Sequence, residues 1–317
     1  MKIPIGIINS SWGGTRVEAW TSMQKLKSLN STKEKKDVIE SDNQLSKKMS
    51  KKYNDSIAVF DSGLGGLTVV KALQKILPNE SIIYFGDTAR VPYGNKSQNL
   101  IQEYGKEITE FLINKGAKIV IVACNTASAL ALPLLKKTYD IPIIGVIEPG
   151  AEKAYAVTKS KTIGIIGTLA TIQSEAYEKE LLTLDDSIDT KGMACPLFVP
   201  LVEEGWLEGD VPIQIAETYL SELITNKMDT LILGCTHYPL LIPVLENVIG
   251  DRICIVDSAE TTAKYASDLL KELRLLTDSA TEGGSEYYVT DLPVRFKRVA
   301  RRFLGREIDH VFPVHLS

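Results

Sequence analysis

The sequence predicts an α/β protein with two pseudo-symmetric parallel-sheet domains and an active site between them. Short apolar runs rich in Ile and Val alternate with amphipathic stretches from Ser56 onward, which is the pattern of βαβ units. The alternation falls into two series of similar element order. In each series one apolar run ends at a cysteine, Cys124 in the first and Cys235 in the second. We therefore expect one thiol on each side of a shared cleft, because ligands of parallel sheets bind beyond the strand C-termini.

The first series is predicted to contain four strands and three helices. The strands are Ile57–Phe60, Ser81–Phe85, Lys118–Ala123 and Ile141–Val146. The helices are Leu67–Leu77, Glu103–Asn114 and a stretch that runs from Cys124 to Tyr139. The strand runs are short and β-branched, which is typical of buried parallel strands.

The second series is predicted to contain three strands, two helices and one long loop, and a strand and a helix follow it. The strands are Lys161–Gly167, Asp229–Gly234 and Ile253–Val256, the helices are Ile172–Leu182 and Val211–Thr225, and the loop is Cys195–Trp206. The C-terminal elements are a strand at Tyr287–Asp291 and an amphipathic helix from Phe296 that ends before Gly305. The expected division is an N-terminal extension (1–55), a first domain (56–151 with 262–317) and a second domain (152–261).

Length and charge narrow the class of protein. The 317 residues suffice for two domains, and no apolar run suits a membrane span or a secretion signal, so we expect a cytoplasmic protein. Residues 1–55 contain 11 of the 36 basic residues and 6 of the 40 acidic residues of the chain. The remaining residues, 56–317, therefore contain 25 basic and 34 acidic residues and form an acidic body. Such a body is poorly suited to nucleic acid, and no nucleic-acid or membrane partner is expected. The basic stretch 25–52 is interpreted as a solvated linker, with nucleic-acid or membrane contact as the alternative.

The cysteines are widely spaced and lack a CxxC pair or a neighbouring histidine pair. They are Cys124, Cys195, Cys235 and Cys254. This spacing argues against a disulfide framework and against a structural zinc site, so reduced thiols are predicted. A thiol can remove a proton as thiolate and return one as thiol near neutral pH. Two opposed thiols can thus invert a stereocentre without a metal or an organic cofactor, whereas simple core burial of both is the alternative.

Four further segments place polar residues after predicted strands or in loops. Asp61 precedes a Gly-rich turn that fits neither a P-loop nor a dinucleotide site, and it is either a site residue or a helix N-cap. Asp87 lies in a polar loop. It is either a site residue or a residue that stabilises a surface turn. One of Glu203 and Glu204 is expected to point inward. His237 either lowers the pKa of the nearby thiol or is structural.

The chain from about Ser56 to Gly305 closely resembles bacterial glutamate racemase, of the cofactor-independent Asp/Glu racemase superfamily. The matching motifs are Phe60–Gly66, Gly86–Gly94, Ala123–Ala127, Val146–Gly150, Cys195–Gly205, Gly234–Pro239 and the closing strand Tyr287–Asp291. By that resemblance, Cys124 and Cys235 are the two catalytic acid/bases, Cys124 acting on D-glutamate and Cys235 on L-glutamate.

The resemblance also implies polar site residues, a substrate and a role. The assisting residues are Asp61, Asp87, Glu203 and His237, with Glu204 as the substitute for Glu203. The substrate-binding residues are Asp61, Ser62, Tyr93, Gly94, Asn125, Thr126, Thr236 and His237. The implied substrate is glutamate, and the product D-glutamate would be used for peptidoglycan synthesis and cell shape. The resemblance implies no metal and no cofactor. It also implies a homodimer.

Two alternatives stay open at this point. One is a racemase of the same superfamily that acts on aspartate or a related amino acid, although the sequence Cys-Thr-His at 235–237 resembles glutamate racemases, since aspartate racemases tend to have a glutamate after Cys-Thr. The other is a binding protein on a racemase scaffold, for example a topoisomerase partner. The presence of both thiols favours the enzyme.

Residues 4–20 do not fit this family and instead resemble a short internal segment of sialate O-acetylesterases. The nucleophile motif of that family, a serine between Gly-Gln and Asn, is absent, as are its other catalytic residues. A non-functional extension over residues 1–55 is therefore predicted.

A chain that begins near Asn54 is expected to fold and to racemise glutamate about as well as the full chain, because the extension lacks catalytic residues and differs in charge from the body. Turnover and melting temperature of the two chains provide the measurement. A large loss on truncation would contradict the prediction. The full chain should release no acetate from an O-acetylated sialic acid.

Overall fold

The strands of the protein form two sheets. The computed structural model describes residues 55–224 and 227–316, so the predicted extension and its resemblance to esterases lie outside the described residues. The strands are β1 (Ser56–Asp61), β2 (Ile82–Gly86), β3 (Ala117–Val122), β4 (Ile143–Gly145), β5 (Thr162–Gly167), β6 (Asp189–Ala194), β7 (Thr230–Gly234), β8 (Cys254–Asp257), β9 (Ser285–Val289) and β10 (Val311–Pro313).

Helices connect these strands. They are α1 (Leu67–Ile76), α2 (Gln98–Asn114), α3 (Asn125–Leu130), α4 (Leu132–Thr138), α5 (Ile147–Val157), α6 (Leu169–Ser174), α7 (Ala176–Leu184), α8 (Phe198–Glu204), α9 (Asp210–Leu223), α10 (Ile242–Ile249), α11 (Ser258–Glu272) and α12 (Pro293–Leu304). Short 3₁₀ turns occupy Tyr93–Asn95 and Tyr238–Leu241. Among the described residues, no helix has both the length and the apolar character needed to cross a membrane.

Both sheets are parallel throughout, and they share one topology. The first has the order β10-β9-β2-β1-β3-β4 and the second the order β6-β5-β7-β8. In both sheets, the first strand of the series lies between the second and the third. Successive strands are therefore added first on one side of it and then on the other, while all strands stay parallel. The predicted fold class, with two pseudo-symmetric parallel sheets, is confirmed. Ligands are expected at the carboxyl ends of the strands on either side of such a change in strand order.

The central strands are buried because most of their residues are apolar, and Lys118 within β3 is buried with them. Every residue of β3, β5 and β7 is buried, as is β1 after its first residue. Helices cover both faces of such strands, with one core cluster packed on the first sheet and another on the second. From Ser56 onward the chain forms one compact unit, and the exact bounds of two domains within it remain a prediction.

Several elements differ from the sequence prediction for local reasons. The helix α2 begins at Gln98, five residues early, because Ser97 caps it by accepting a hydrogen bond from the Leu100 amide. The predicted helix at Ile172–Leu182 is two helices, since Glu175 has φ +54° and interrupts it. The edge strand β6 was missed because it is not an apolar run, and β10 because it has only three residues, the last of them a proline.

The predicted loop Cys195–Trp206 is wrong, because it contains α8. Pro200 falls in the first turn of this helix, where a missing amide proton costs no hydrogen bond. Gly205 ends the helix in the left-handed region with φ +83°.

Candidate active site

The two cysteines occupy equivalent positions in the two sheets. Cys124 follows β3 and begins α3, whereas Cys235 follows β7 directly. Both side chains are buried, at 5% and 6% exposure. Burial, together with the negative charges of Asp61 and Cys235, raises the pKa of the Cys124 thiol to about 12. The two thiols are thus close enough to interact electrostatically.

Asp61 connects the first sheet to the residues that follow Cys235. It is the last residue of β1 and is fully buried. One carboxylate oxygen accepts a hydrogen bond from the Gly63 amide at 2.9 Å, and the other accepts from the Thr236 hydroxyl at 3.3 Å. Burial raises the pKa of Asp61, although the charge of His237 opposes this. The alternative of a simple helix N-cap does not apply, since α1 has Gly66 at its cap position.

The turn after β1 packs against the same residues so closely that only glycine fits at position 65. A Cβ atom on Gly65 would lie 2.1 Å from Oγ1 of Thr236 and 2.5 Å from Nδ1 of His237. The missing side chain therefore allows the turn that follows Asp61 to meet the segment that follows Cys235.

His237 is held between Cys235 and Glu203. Its Nε2 atom lies 3.3 Å from Oε1 of Glu203, and its side chain also hydrogen-bonds with Cys235. Burial lowers the pKa of His237, but these two hydrogen bonds and the negative charges of Cys235 and Asp61 together outweigh it and raise the pKa to about 10. Burial raises the pKa of Glu203, but the contact with His237 and the charge of Arg295 together lower it below its ordinary value. Of the two glutamates it is thus Glu203 that contacts the site, since Glu204 has a side chain 69% exposed.

Polar groups surround Cys124. Its Sγ atom lies 3.7 Å from Oγ of Ser62. The next residue, Asn125, accepts a hydrogen bond from the Tyr177 hydroxyl at 2.7 Å, while its buried Nδ2 lacks a hydrogen-bond partner within the described part of the chain. Thr126 shares a hydrogen bond of 2.9 Å with Thr168 of the second half. A buried donor next to a thiol suits an anionic ligand.

Asp87 holds the loop that carries Tyr93 and Gly94. Its carboxylate accepts hydrogen bonds from Arg90 Nε at 2.6 Å, from Thr290 Oγ1 at 2.9 Å and from the Tyr93 hydroxyl. Tyr93 is buried at the start of a 3₁₀ turn, and Gly94 packs against Thr168. Asp87 therefore holds this loop in place, and its assisting role remains a prediction.

Sequence reasoning missed three residues that join the halves: Thr168, Thr171 and Tyr177. The hydroxyl of Thr168 lies 2.9 Å from that of Thr171 and caps α6 by accepting from the Thr171 amide. The pseudo-symmetry carried a usable signal, because Thr168 follows β5 directly, as Ser62 follows β1.

All four cysteines carry free thiols. Cys195 is buried, which raises the pKa of its thiol to about 12, whereas Cys254 is exposed on β8. Within residues 55–224 and 227–316, no group of three or more His, Cys, Asp and Glu side chains is arranged to hold a metal ion.

Known proteins share both this sequence and this fold. Residues 67–266 match the Asp/Glu/hydantoin racemase family. The chain belongs to that family. A glutamate racemase from Geobacter metallireducens is 50% identical over 262 residues, which cover 83% of this chain and 97% of that one.

Solved structures agree. A glutamate racemase isoform from Bacillus anthracis matches with a TM-score of 0.80 and 41% identity, over 83% of this chain and 98% of its own. A glutamate racemase from Francisella tularensis, solved in complex with D-glutamate, matches with a TM-score of 0.79 and 39% identity over the same shares. The resemblance to glutamate racemase drawn from the motifs is confirmed, and with it the prediction of an isomerase.

The raised pKa of His237 makes stability depend on pH. A protonated His237 stabilises the fold fully below pH 6.5, its ordinary pKa, and this contribution is lost as the pH rises through about 10. Glu203→Gln removes one of the two raising contacts, so the imidazole pKa should fall towards 6.5 and less stability should be lost between these pH values. Glu204→Gln is the matched control and should behave as the wild type.

Imidazole NMR titration and urea unfolding at pH 6 and pH 10 provide the measurements. Equal titration midpoints in the two variants would contradict the assignment of Glu203 as the partner of His237.

Proposed function

We propose that this protein interconverts L- and D-glutamate by direct proton transfer at the α-carbon, with Cys124 and Cys235 as the two acid/bases. The observation that carries this proposal is the pair of buried thiols at equivalent strand ends of two pseudo-symmetric sheets. The relatives named glutamate racemase, one of them in complex with D-glutamate, support the choice of substrate.

The two thiols have different charged neighbours. Cys235 lies beside His237, whose pKa is raised and which hydrogen-bonds with it. Cys124 is held as a thiol, because burial and the charge of Asp61 raise its pKa. In the direction from L- to D-glutamate, Cys235 acts as the thiolate that removes the α-proton, while the Cys124 thiol gives its proton to the opposite face. The product is D-glutamate with the charge now on Cys124, which is the starting state for the reverse reaction.

The α-proton of an amino acid is weakly acidic, so the site must stabilise the negative charge that develops on the adjacent carboxylate. Suitable donors lie beside Cys124 and in the turn after β1. They are the Nδ2 atom of Asn125, the hydroxyl of Thr126 and the amides of the Gly-rich turn at the start of α1. Their burial excludes water and strengthens these interactions. Asp61 is the counter-charge for the substrate ammonium, which in turn offsets the effect of Asp61 on Cys124.

The remaining polar residues have supporting roles in this proposal. His237 assists Cys235, and Glu203 orients His237 through the 3.3 Å contact. Asp87 positions Tyr93 and Gly94 through their shared loop. Ser62 assists Cys124 from 3.7 Å. The product would supply D-glutamate to peptidoglycan, in the cytoplasm, from a homodimer.

Incubation of the protein with L-glutamate should produce D-glutamate, and the reverse, until both are equal, while L-aspartate should stay unchanged. Chiral chromatography measures all four amino acids. Dialysis against a chelator should leave the rate unchanged, because the proposed chemistry uses side chains alone. Comparable racemisation of aspartate, or loss of activity to the chelator with recovery on adding a metal, would overturn the substrate or the mechanism.

Cys124→Ser and Cys235→Ser should each reduce racemisation by several orders of magnitude, because a hydroxyl is a far weaker base than a thiol at neutral pH. Each variant should still eliminate HCl from one enantiomer of a β-chloro glutamate analogue. Cys124→Ser retains the thiol that faces the L-substrate, and Cys235→Ser retains the one that faces the D-substrate. Chloride release from each enantiomer is the measurement. A shared enantiomer preference, or near-normal racemisation by either variant, would show that the bases are wrongly assigned.

A further inference from the structure

The C-terminal helix α12 lies against both halves of the site. One side packs on α1, next to the first sheet. The other side faces α8 and His237, which follow strands of the second sheet. The ring of Phe303, a buried residue of α12, meets the His237 ring edge-on with centroids 5.5 Å apart. The helix therefore forms part of the wall around the imidazole that serves Cys235.

Arg295 of α12 holds the carboxylate of Glu203 on the side away from His237. Its Nη2 atom lies 3.7 Å from Oε2 of Glu203 and 3.5 Å from Oε1 of Glu204. The other oxygen of Glu203 contacts Nε2 of His237 at 3.3 Å. The Glu203 carboxylate is thus fixed between a guanidinium and an imidazole. Its contact with Nε2 restricts rotation of the imidazole away from Cys235.

Arg302 of α12 fixes the backbone of the same residue. Its Nη1 atom donates a hydrogen bond to the Glu203 carbonyl at the C-terminal end of α8, where a cation is favoured by the helix dipole. The guanidinium reaches this position because residue 205 is glycine. A Cβ atom on Gly205 would lie 2.7 Å from Cζ of Arg302.

We propose that Arg295 and Arg302 are positioning residues for one thiol only: they hold Glu203 against His237 and so maintain the reactivity of Cys235, while Cys124 works without them. This inference rests on the proposed function. The charged and titratable groups that face the Glu203–His237 pair are Cys235, Asp61, Glu204, Arg295 and Arg302. The two arginines are the members of this set that come from α12.

Racemisation rates cannot reveal which thiol is affected. L- and D-glutamate have equal free energies, so kcat/KM must be the same in both directions, whichever step is impaired. Chloride elimination by single-thiol variants separates the two, because each variant has only one base left. Elimination from the L-enantiomer by Cys124→Ser reports on Cys235, and elimination from the D-enantiomer by Cys235→Ser reports on Cys124.

The test adds Arg295→Gln, Arg302→Gln, or both, to each single-thiol variant. We expect the double substitution to slow elimination by Cys235 about three- to tenfold, the range that partly exposed ion pairs and helix-end charges support. Elimination by Cys124 should change less than about twofold, well within the effect of a surface substitution. Arg295→Lys, which keeps the charge, should recover part of the loss caused by Arg295→Gln.

Arg301→Gln is the matched control, because Arg301 is on the same helix but pairs with exposed Glu307 at 3.0 Å. It should leave both elimination rates unchanged. Melting temperatures of all variants identify any that fail to fold. If an Arg→Gln variant does not fold, the elimination rates of the conservative Arg295→Lys variant are used for the test instead. Equal losses at both thiols, or none, would overturn the inference while leaving the racemase intact. Absence of elimination from both single-thiol variants would instead overturn the proposed function, and the inference with it.

Discussion

The contact between the turn after β1 and the segment after β7 is the constraint on which the rest of the site depends. The Thr236 hydroxyl donates to Asp61 across this contact, and the turn approaches within the space left by the missing side chain of Gly65. In each sheet taken alone, the carboxyl ends of the strands carry one thiol. Joined at this contact, the two sets of strand ends form a buried site in which both thiols are at most 6% exposed.

Burial then sets the electrostatics. A thiolate in a low-dielectric interior is costly, so each thiol needs a partner to act as a base. Cys235 has His237 beside it, whose pKa is raised to about 10, whereas Cys124 has the carboxylate of Asp61 nearby, which opposes a second negative charge. The fold is pseudo-symmetric, but the charged groups around the two thiols are not.

The sequence predicted those features that depend on local pattern. Apolar runs identified the central strands, and the cysteines at their ends identified the cleft. Features that depend on distant contacts were not accessible. The choice between Glu203 and Glu204 requires knowing that α8 is a helix, since adjacent residues then point about 100° apart and only one can face His237. The hydrogen bonds of Thr126 with Thr168 and of Asn125 with Tyr177 likewise join residues more than forty positions apart.

The asymmetry of the site has a topological origin. Four strands of the first sheet correspond to the four strands of the second, but the first sheet continues with β9 and β10, and α12 lies between those two strands in the chain. This addition has no counterpart in the second sheet as the described residues form it. It is also the segment that places Phe303, Arg295 and Arg302 around the Glu203–His237 pair. Two equivalent halves would give two equivalent thiols. The C-terminal segment removes that equivalence, because the arginines and the phenylalanine that it places beside the partner of Cys235 have no counterpart from the second sheet beside Cys124.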